Sequence, residues 1–339
     1  MLPRDREINK KTFASIIPEE NKKTKLNILI FAFNRPEKLE RVLRAVCQNF
    51  DYVRSVQVIV DCPNALSKSF EKDAKLKSEV IEVINSYRLD YSKHNGLSVN
   101  FKEREHNYGL AKNIIHGITS TFENSEQIEH LTILEDDIVP TRLFFKYMSF
   151  CLENYKDIKE IKSICGYTYP TCQSFPFFGQ DVENIKIEMF LAKRFIPWGW
   201  STWKTKWSLE HISTLLARVA IHEEKDTKFK IPPDIKRYLE DERFYKGEID
   251  IWSILWSLEH YLNQAYTIHP SFSLVENIGF DGTGVHSEKT EVFNNYFFIN
   301  NSDHSINPVI EISENRDMLI EMFLFEHSKK VMLKQVKEK

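Results

Sequence analysis

The stretch Leu131-Thr132-Ile133-Leu134-Glu135-Asp136-Asp137-Ile138-Val139-Pro140 sets an apolar run of strand length against three consecutive acids. Carboxylates gathered at a strand end repel one another, and burying each unpaired costs on the order of several kcal/mol. A hard divalent cation removes the conflict, because Mg²⁺ or Mn²⁺ takes one or two carboxylates and completes its shell with substrate phosphate oxygens. The alternative is a solvated acidic turn after an edge strand. The sequence on either side bears on the choice.

Upstream, Leu26 to Phe33 is a near-continuous apolar run that suits a strand covered on both faces. It stops at Asn34-Arg35-Pro36, where Pro36 fits a helix's first turn and Leu39, Val42, Leu43 and Val46 follow at helical spacing. A second strand, Val56 to Val60, ends in Asp61-Cys62-Pro63-Asn64, and residues 67 to 90 follow with a helical pattern. Leu97 to Phe101 alternates as a third strand, and Asn107-Tyr108-Gly109-Leu110-Ala111-Lys112-Asn113 opens a helix reaching about Phe122. The acid-tipped strand is the fourth, followed by a helix through Phe144 to Tyr155. Strands alternating with helices predict a doubly wound α/β sheet, in which ligands bind at the carboxyl ends of the strands. Asn34-Arg35, Asp61 and Glu135-Asp136-Asp137 all fall at such ends.

Downstream the pattern loosens. Ser163 to Tyr169 is read as a further strand, and Cys172 to Asp181 as an aromatic loop containing proline. Phe195 to Trp203 places Trp198, Trp200 and Trp203 within six positions, with Trp207 just beyond. These rings suit either a core plug under a helix or a stacking wall for a sugar or base. Residues 208 to 245 are charged and largely helical. Glu248 and Asp250 then precede an amphipathic helix through Leu262, Ala265 to Leu274 resembles a strand, and Val275 to His286 is a glycine-punctuated loop. Residues 300 to 316 are mostly polar. An apolar helical run, Met318 to Phe325, precedes a Lys-rich tail.

At 339 residues the chain can bury a large core, and 42% hydrophobic with 28% charged residues describes an ordinary globular protein. A net charge of −3 provides no basic field for nucleic acid. Five cysteines without CxxC pairs point to reduced thiols, and Met1 to Lys25 lacks a signal-peptide core, so a cytoplasmic protein is expected. The faint amphipathic stripe Val331, Met332, Val336 in the tail leaves peripheral association with the inner membrane face open. The GxGxxG and GxxxxGK[ST] phosphate loops are absent.

Taken together, these pieces resemble the nucleotide-sugar glycosyltransferases of the A-type fold, in particular the inverting N-acetylglucosaminyltransferase I family and bacterial inverting relatives. The residues that carry the likeness are Arg35, Asp61-Cys62, Glu135-Asp136-Asp137, Asp250 before Trp252, and the Asn107 to Asn113 segment, with Lys112 where arginine is usual. The resemblance implies a Rossmann-like, doubly wound mixed sheet with a helical C-terminal extension. It implies an N-terminal arm over 1–25 and a catalytic domain over 26–290, with a nucleotide-binding half (26–155) and an acceptor half (156–290). The extension would then occupy 291–339.

The same resemblance implies roles. Asp61 would accept a hydrogen bond from uracil, Arg35 would meet the nucleotide or its phosphates, and Lys112 would add positive charge near the donor. Asp137 would ligate Mn²⁺ or Mg²⁺, Asp136 would hold the ribose or a metal-bound water, and Glu135 would contact the donor sugar, with Trp198 and Trp200 as donor-side walls. His286 sits where some A-type enzymes place a late metal ligand. Asp250 is the candidate base, with Glu248 in reserve, although Asp250 also fits a helix N-cap and Asp61 an ordinary turn. The activity implied is inverting, metal-dependent transfer of a hexosyl or N-acetylhexosaminyl group from a UDP-sugar to a glycan or glycolipid, in bacterial surface polysaccharide biosynthesis. The alternatives are a sugar nucleotidyltransferase, which calls for a Gly-rich loop after the first strand, and a non-catalytic carbohydrate-binding protein.

Overall fold

The computed structural model describes residues 24–94, 97–170, 187–225, 231–246, 251–282 and 306–312, together with residues 320 and 324. The chain opens with β1 (Leu26–Ala32), α1 (Pro36–Gln48), β2 (Val53–Val60), α2 (Phe70–His94), β3 (Ser98–Glu103), α3 (Leu110–Glu123) and β4 (His130–Glu135). The strands lie in the order β3-β2-β1-β4, all parallel. Every residue of β1 is buried, as its near-continuous apolar run requires when helices cover both faces, and the one polar residue, Asn27, accepts from Ser55 Oγ. Pro36 opens α1, and Leu39, Val42, Leu43, Val46 and Cys47 form its buried stripe. Gly117 lets α3 lie close to the sheet, since a Cβ there would come within 2.6 Å of the Phe31 ring and 2.8 Å of Ile59.

The second half comprises β5 (Ile138–Pro140), α4 (Arg142–Asn154), β6 (Ile161–Cys165), β7 (Ile187–Ala192), β8 (Trp200–Trp203), α5 (Ile212–Lys225), α6 (Pro233–Glu240), α7 (Glu242–Tyr245), α8 (Trp252–Leu262), β9 (Tyr266–Pro270), β10 (Val275–Asn277) and β11 (Ile306–Ile312). Nine described strands form one mixed sheet, β11-β7-β9-β6-β8-β4-β1-β2-β3, while β5 and β10 pair antiparallel beside it. The expected doubly wound mixed α/β sheet is therefore present. A second, smaller core sits among α5 to α8 around Leu215, Ile235, Ile254 and Leu258.

Strand β10 falls at the start of the stretch read as a glycine-punctuated loop, and three further strands depart from the sequence reading. The tryptophan segment is a core plug at Trp200 and Trp203, with Trp200 packed on Trp252 of α8, and it is also a strand. Its centre is β8, antiparallel to both β4 and β6 in mid-sheet, with Ser201 Oγ 2.8 Å from Thr132 Oγ1 and Trp203 Nε1 donating to Leu152 O. β7 was not anticipated. β11 comes from the stretch read as polar and lies in the segment assigned to the extension, yet it pairs parallel with β7 at the sheet's edge. Its register shifts between Ile306 and Ile310, where Pro308 falls, a placement that an edge strand tolerates. Ile320 joins the main core and Leu324 packs on it. No helix among the described residues is long and apolar enough to cross a membrane.

Candidate active site

Glu135, the last residue of β4, is in register with Phe31 on β1, which brings Asp136 and Asp137 level with the β1–α1 turn. Arg35, at the N-cap of α1, reaches across: Nη1 donates to Asp137 Oδ2 at 2.6 Å and Nη2 donates to Asp136 Oδ1. The Phe33 amide adds a 3.4 Å bond to Asp136 Oδ2. Asp136 is 2% exposed, whereas the Asp137 side chain keeps 13%. One guanidinium thus faces three carboxylates.

The titration behaviour follows from that imbalance. Burial, reinforced by Asp137 and Asp136 and opposed by Arg35, pushes the Glu135 carboxyl up to about 8. Burial also raises Asp136, against the pull of Arg35. Burial disfavours the Arg35 charge, but Asp136, Asp137 and Glu135 outweigh it and hold the guanidinium above its usual range. A cluster that suppresses its own ionisation is one that additional positive charge would stabilise.

The segment after β10 crosses directly over the triplet. β5 and β10 pair through Asn277 and Ile138, and the Ile278 amide donates to Asp137 O at 2.9 Å. Glycine at 279 leaves room for the Asp137 carboxylate, since a Cβ at that position would lie 2.2 Å from Asp137 Oδ2 and displace it. Lys38 and Arg41 of α1 pair with Asp281 (2.9 Å) and Glu276 (3.0 Å), fixing the segment from outside. Phe280 meets the Trp198 ring edge-on at 5.4 Å, and Trp198 in turn meets Tyr167 at 4.5 Å. Trp198 is partly exposed and remains available as a wall. Trp200 is wholly buried against Phe195, Trp207 and Trp252, so it is a core residue and presents no face to a donor.

Asp61 stands at the end of β2, but its oxygens are occupied. Oδ1 accepts from the Cys62 and Tyr108 amides (2.9 and 3.0 Å), and Oδ2 accepts from the Gly109 amide (3.1 Å) and Asn107 Nδ2 (3.4 Å). A carboxylate offers about four acceptor positions. Asp61 spends its set on the β3–α3 loop and leaves none for a uracil N–H. Burial raises its pKa, against those amides. The loop holds Tyr108 with Lys112 Nζ 4.7 Å and the Arg104 guanidinium carbon 4.6 Å from its ring centroid.

Glu248, Asp250 and His286 lie outside the described residues. The N-cap of α8 is Ile251, one residue after Asp250. Among the described residues no three His, Cys, Asp or Glu side chains form a group able to hold a metal. The oxygen donors Asp136 and Asp137 nonetheless fit a Mg²⁺-type site of one or two carboxylates completed by phosphate. Sequence reasoning missed Gly279, Tyr108 and Arg104. The glycine-punctuated loop signalled close backbone approach but not its target, and nothing local marked Arg104.

No family model and no curated protein matches this sequence. Several solved structures are similar. The mannosyltransferase PcManGT from Pyrobaculum calidifontis, in complex with GDP-Man and Mn²⁺, shares 14% identity over 62% of this chain and 52% of its own, with a TM-score of 0.33. S. aureus TarS 1-349 shares 12% over 74% of this chain and 59% of its own, at 0.39. UDP-glucose pyrophosphorylase from Acinetobacter baumannii shares 9% over 75% and 88%, at 0.35. The chain spans a little over half the length of the first two.

Proposed function

We propose that this chain is an A-type glycosyltransferase, inverting and metal-dependent, that moves a sugar from a UDP-linked donor to a glycan or glycolipid acceptor. The observation that carries this is Arg35 bridging Asp136 and Asp137 at the carboxyl rim of the β3-β2-β1-β4 sheet. Ligands of open α/β sheets bind on that rim. Asp137 keeps the exposure needed to reach a ligand, and the triplet is short of positive charge.

In this reading Asp137 holds the metal, with Asp136 beside it, and Glu135 faces the donor sugar. A divalent ion held by Asp137 and Asp136 would supply charge compensation for the leaving diphosphate. Arg35 lies within reach of the same phosphates. Trp198 and Phe280 wall the sugar side. Asp250, or Glu248 in its absence, takes the proton of the acceptor hydroxyl, which attacks the anomeric carbon in one displacement. Asp61 shapes the nucleotide corner by holding the Asn107–Gly109 loop. His286 is a further candidate for the metal or phosphates. Bacterial surface polysaccharide is the proposed product class, made at the cytoplasmic face. The sugar nucleotidyltransferase alternative fares worse, because Asn34-Arg35-Pro36 stands where its Gly-rich phosphate loop belongs.

The test is a screen of UDP-sugars for Mn²⁺-dependent release of UDP, repeated with Asp250→Asn. Release by the wild type that Asp250→Asn abolishes, with UDP binding unchanged, supports the assignment. Release equal with and without chelator contradicts it.

A further inference from the structure

The β3–α3 corner gathers basic side chains of which the sequence reading placed only Lys112 near the donor. Arg104 is 5% exposed and is held from three sides: Nε donates to Asn113 Oδ1 (2.7 Å), Nη2 to Asn113 O (3.1 Å), and Nη1 lies 3.1 Å from His116 Nδ1. A guanidinium can only donate. His116 Nδ1 is therefore the acceptor, and the ring proton resides on Nε2 of this exposed histidine. The Tyr108 ring is the hub: the His106 ring lies 4.7 Å from its centroid, the His116 ring 5.4 Å edge-on, and the Arg104 and Lys112 cations 4.6 and 4.7 Å away.

The nearest carboxylates are largely committed, apart from exposed Glu105 between Arg104 and His106 in sequence. Arg104, Lys102 and Lys112 make no ion pair among the described residues, and nearby Glu103 is taken by Lys77 at 2.9 Å. Asp61 acts on Arg104 and Glu123 acts on His116, but Asp61 is already bonded to four N–H groups. Burial first, and then Arg104, Lys102 and Lys112, depress the His116 pKa.

We propose that Lys112, His116 and His106, gathered round Tyr108 and backed by Arg104, form a phosphate-binding site at this corner. Lys112 supplies an exposed ammonium over the Tyr108 ring, and His116 supplies a neutral N–H donor whose direction Arg104 fixes. Such a set suits a tetrahedral dianion better than a planar carboxylate. The phosphate belongs either to the nucleotide donor or to a second, phosphate-bearing ligand. The site requires only these charges and does not depend on the transferase assignment.

The experiment titrates inorganic phosphate into the full chain near pH 7, reading histidine side-chain NMR signals with and without saturating UDP. A saturable response at His116 and His106, absent at exposed His211, is expected. Lys112→Gln, a surface change that spares the fold, weakens it by about fivefold or more. Tyr108→Leu, which scatters the cluster, weakens it further. A response that UDP abolishes assigns the site to the nucleotide's own phosphate, whereas one that persists assigns it to a second ligand. No saturable response, one shared equally by His211, or one unchanged in Lys112→Gln overturns the site.

Discussion

Arg35 and Asp137, 102 positions apart in sequence, meet at 2.6 Å, and the same guanidinium also binds Asp136. The arginine therefore acts as the resident counter-ion of a strand end that carries more negative charge than it can neutralise.

Removing that counter-ion exposes the conflict. Arg35→Met leaves a carboxylate that is 2% exposed without its partner, and a loss of about 3 kcal/mol is expected in urea unfolding. Mn²⁺ should recover more stability in the variant than in the wild type. Equal recovery would mean that guanidinium and cation do not share the same carboxylates.

Glu135 sets the pH dependence. Its folded pKa, pushed up to about 8, lies above the ordinary value of 4.5, so between these limits the folded state binds the proton that the unfolded state has released. Stability then falls as pH rises through that window, by up to about 1.4 kcal/mol per pH unit. Glu135→Gln removes this slope. Unfolding curves for both proteins between pH 5 and 8, without metal, are expected to diverge steadily, the variant being the more stable at pH 8.

Asp61→Asn places an amide where four N–H groups converge. A cost of about 2 kcal/mol is expected, with faster hydrogen exchange at the Tyr108 and Gly109 amides. Unchanged exchange with weakened UDP binding would instead restore Asp61 as a direct nucleotide contact.

Gly279→Ala drives a methyl group into Asp137 Oδ2 at 2.2 Å. Metal-dependent UDP binding should weaken by roughly tenfold or more while the sheet stays folded, because a displacement near 1 Å at a reacting site has effects of that size. Circular dichroism and calorimetry on one sample separate the two outcomes.

Much of this architecture was legible in the sequence. β1 and β4 are apolar runs, each interrupted by one polar residue (Asn27, Thr132) and ending in polar residues, so both their burial and the position of the rim could be read directly, and α1 showed its period through Leu39 to Val46. Strand β8 was obscured because Trp-Ser-Thr-Trp sets two small residues between two bulky ones, without the period-2 alternation that marks a strand. β11 was obscured by Pro308 and Glu311, which lower strand propensity and are tolerated at an edge. The site residues on strand ends were found because polar punctuation is local. The saturation of Asp61 and the closeness of Gly279 to Asp137 were not, because each depends on segments about 50 and 140 positions away coming into contact.

Calorimetry of UDP binding, with Mn²⁺ and then with EDTA, in the wild type and in Asp137→Ala, tests the central claim most directly. Tight binding is predicted with Mn²⁺ in the wild type alone, with marked weakening under EDTA and in Asp137→Ala under either condition. Equal affinity across all four would contradict the assignment of Glu135-Asp136-Asp137 as the metal-dependent donor site.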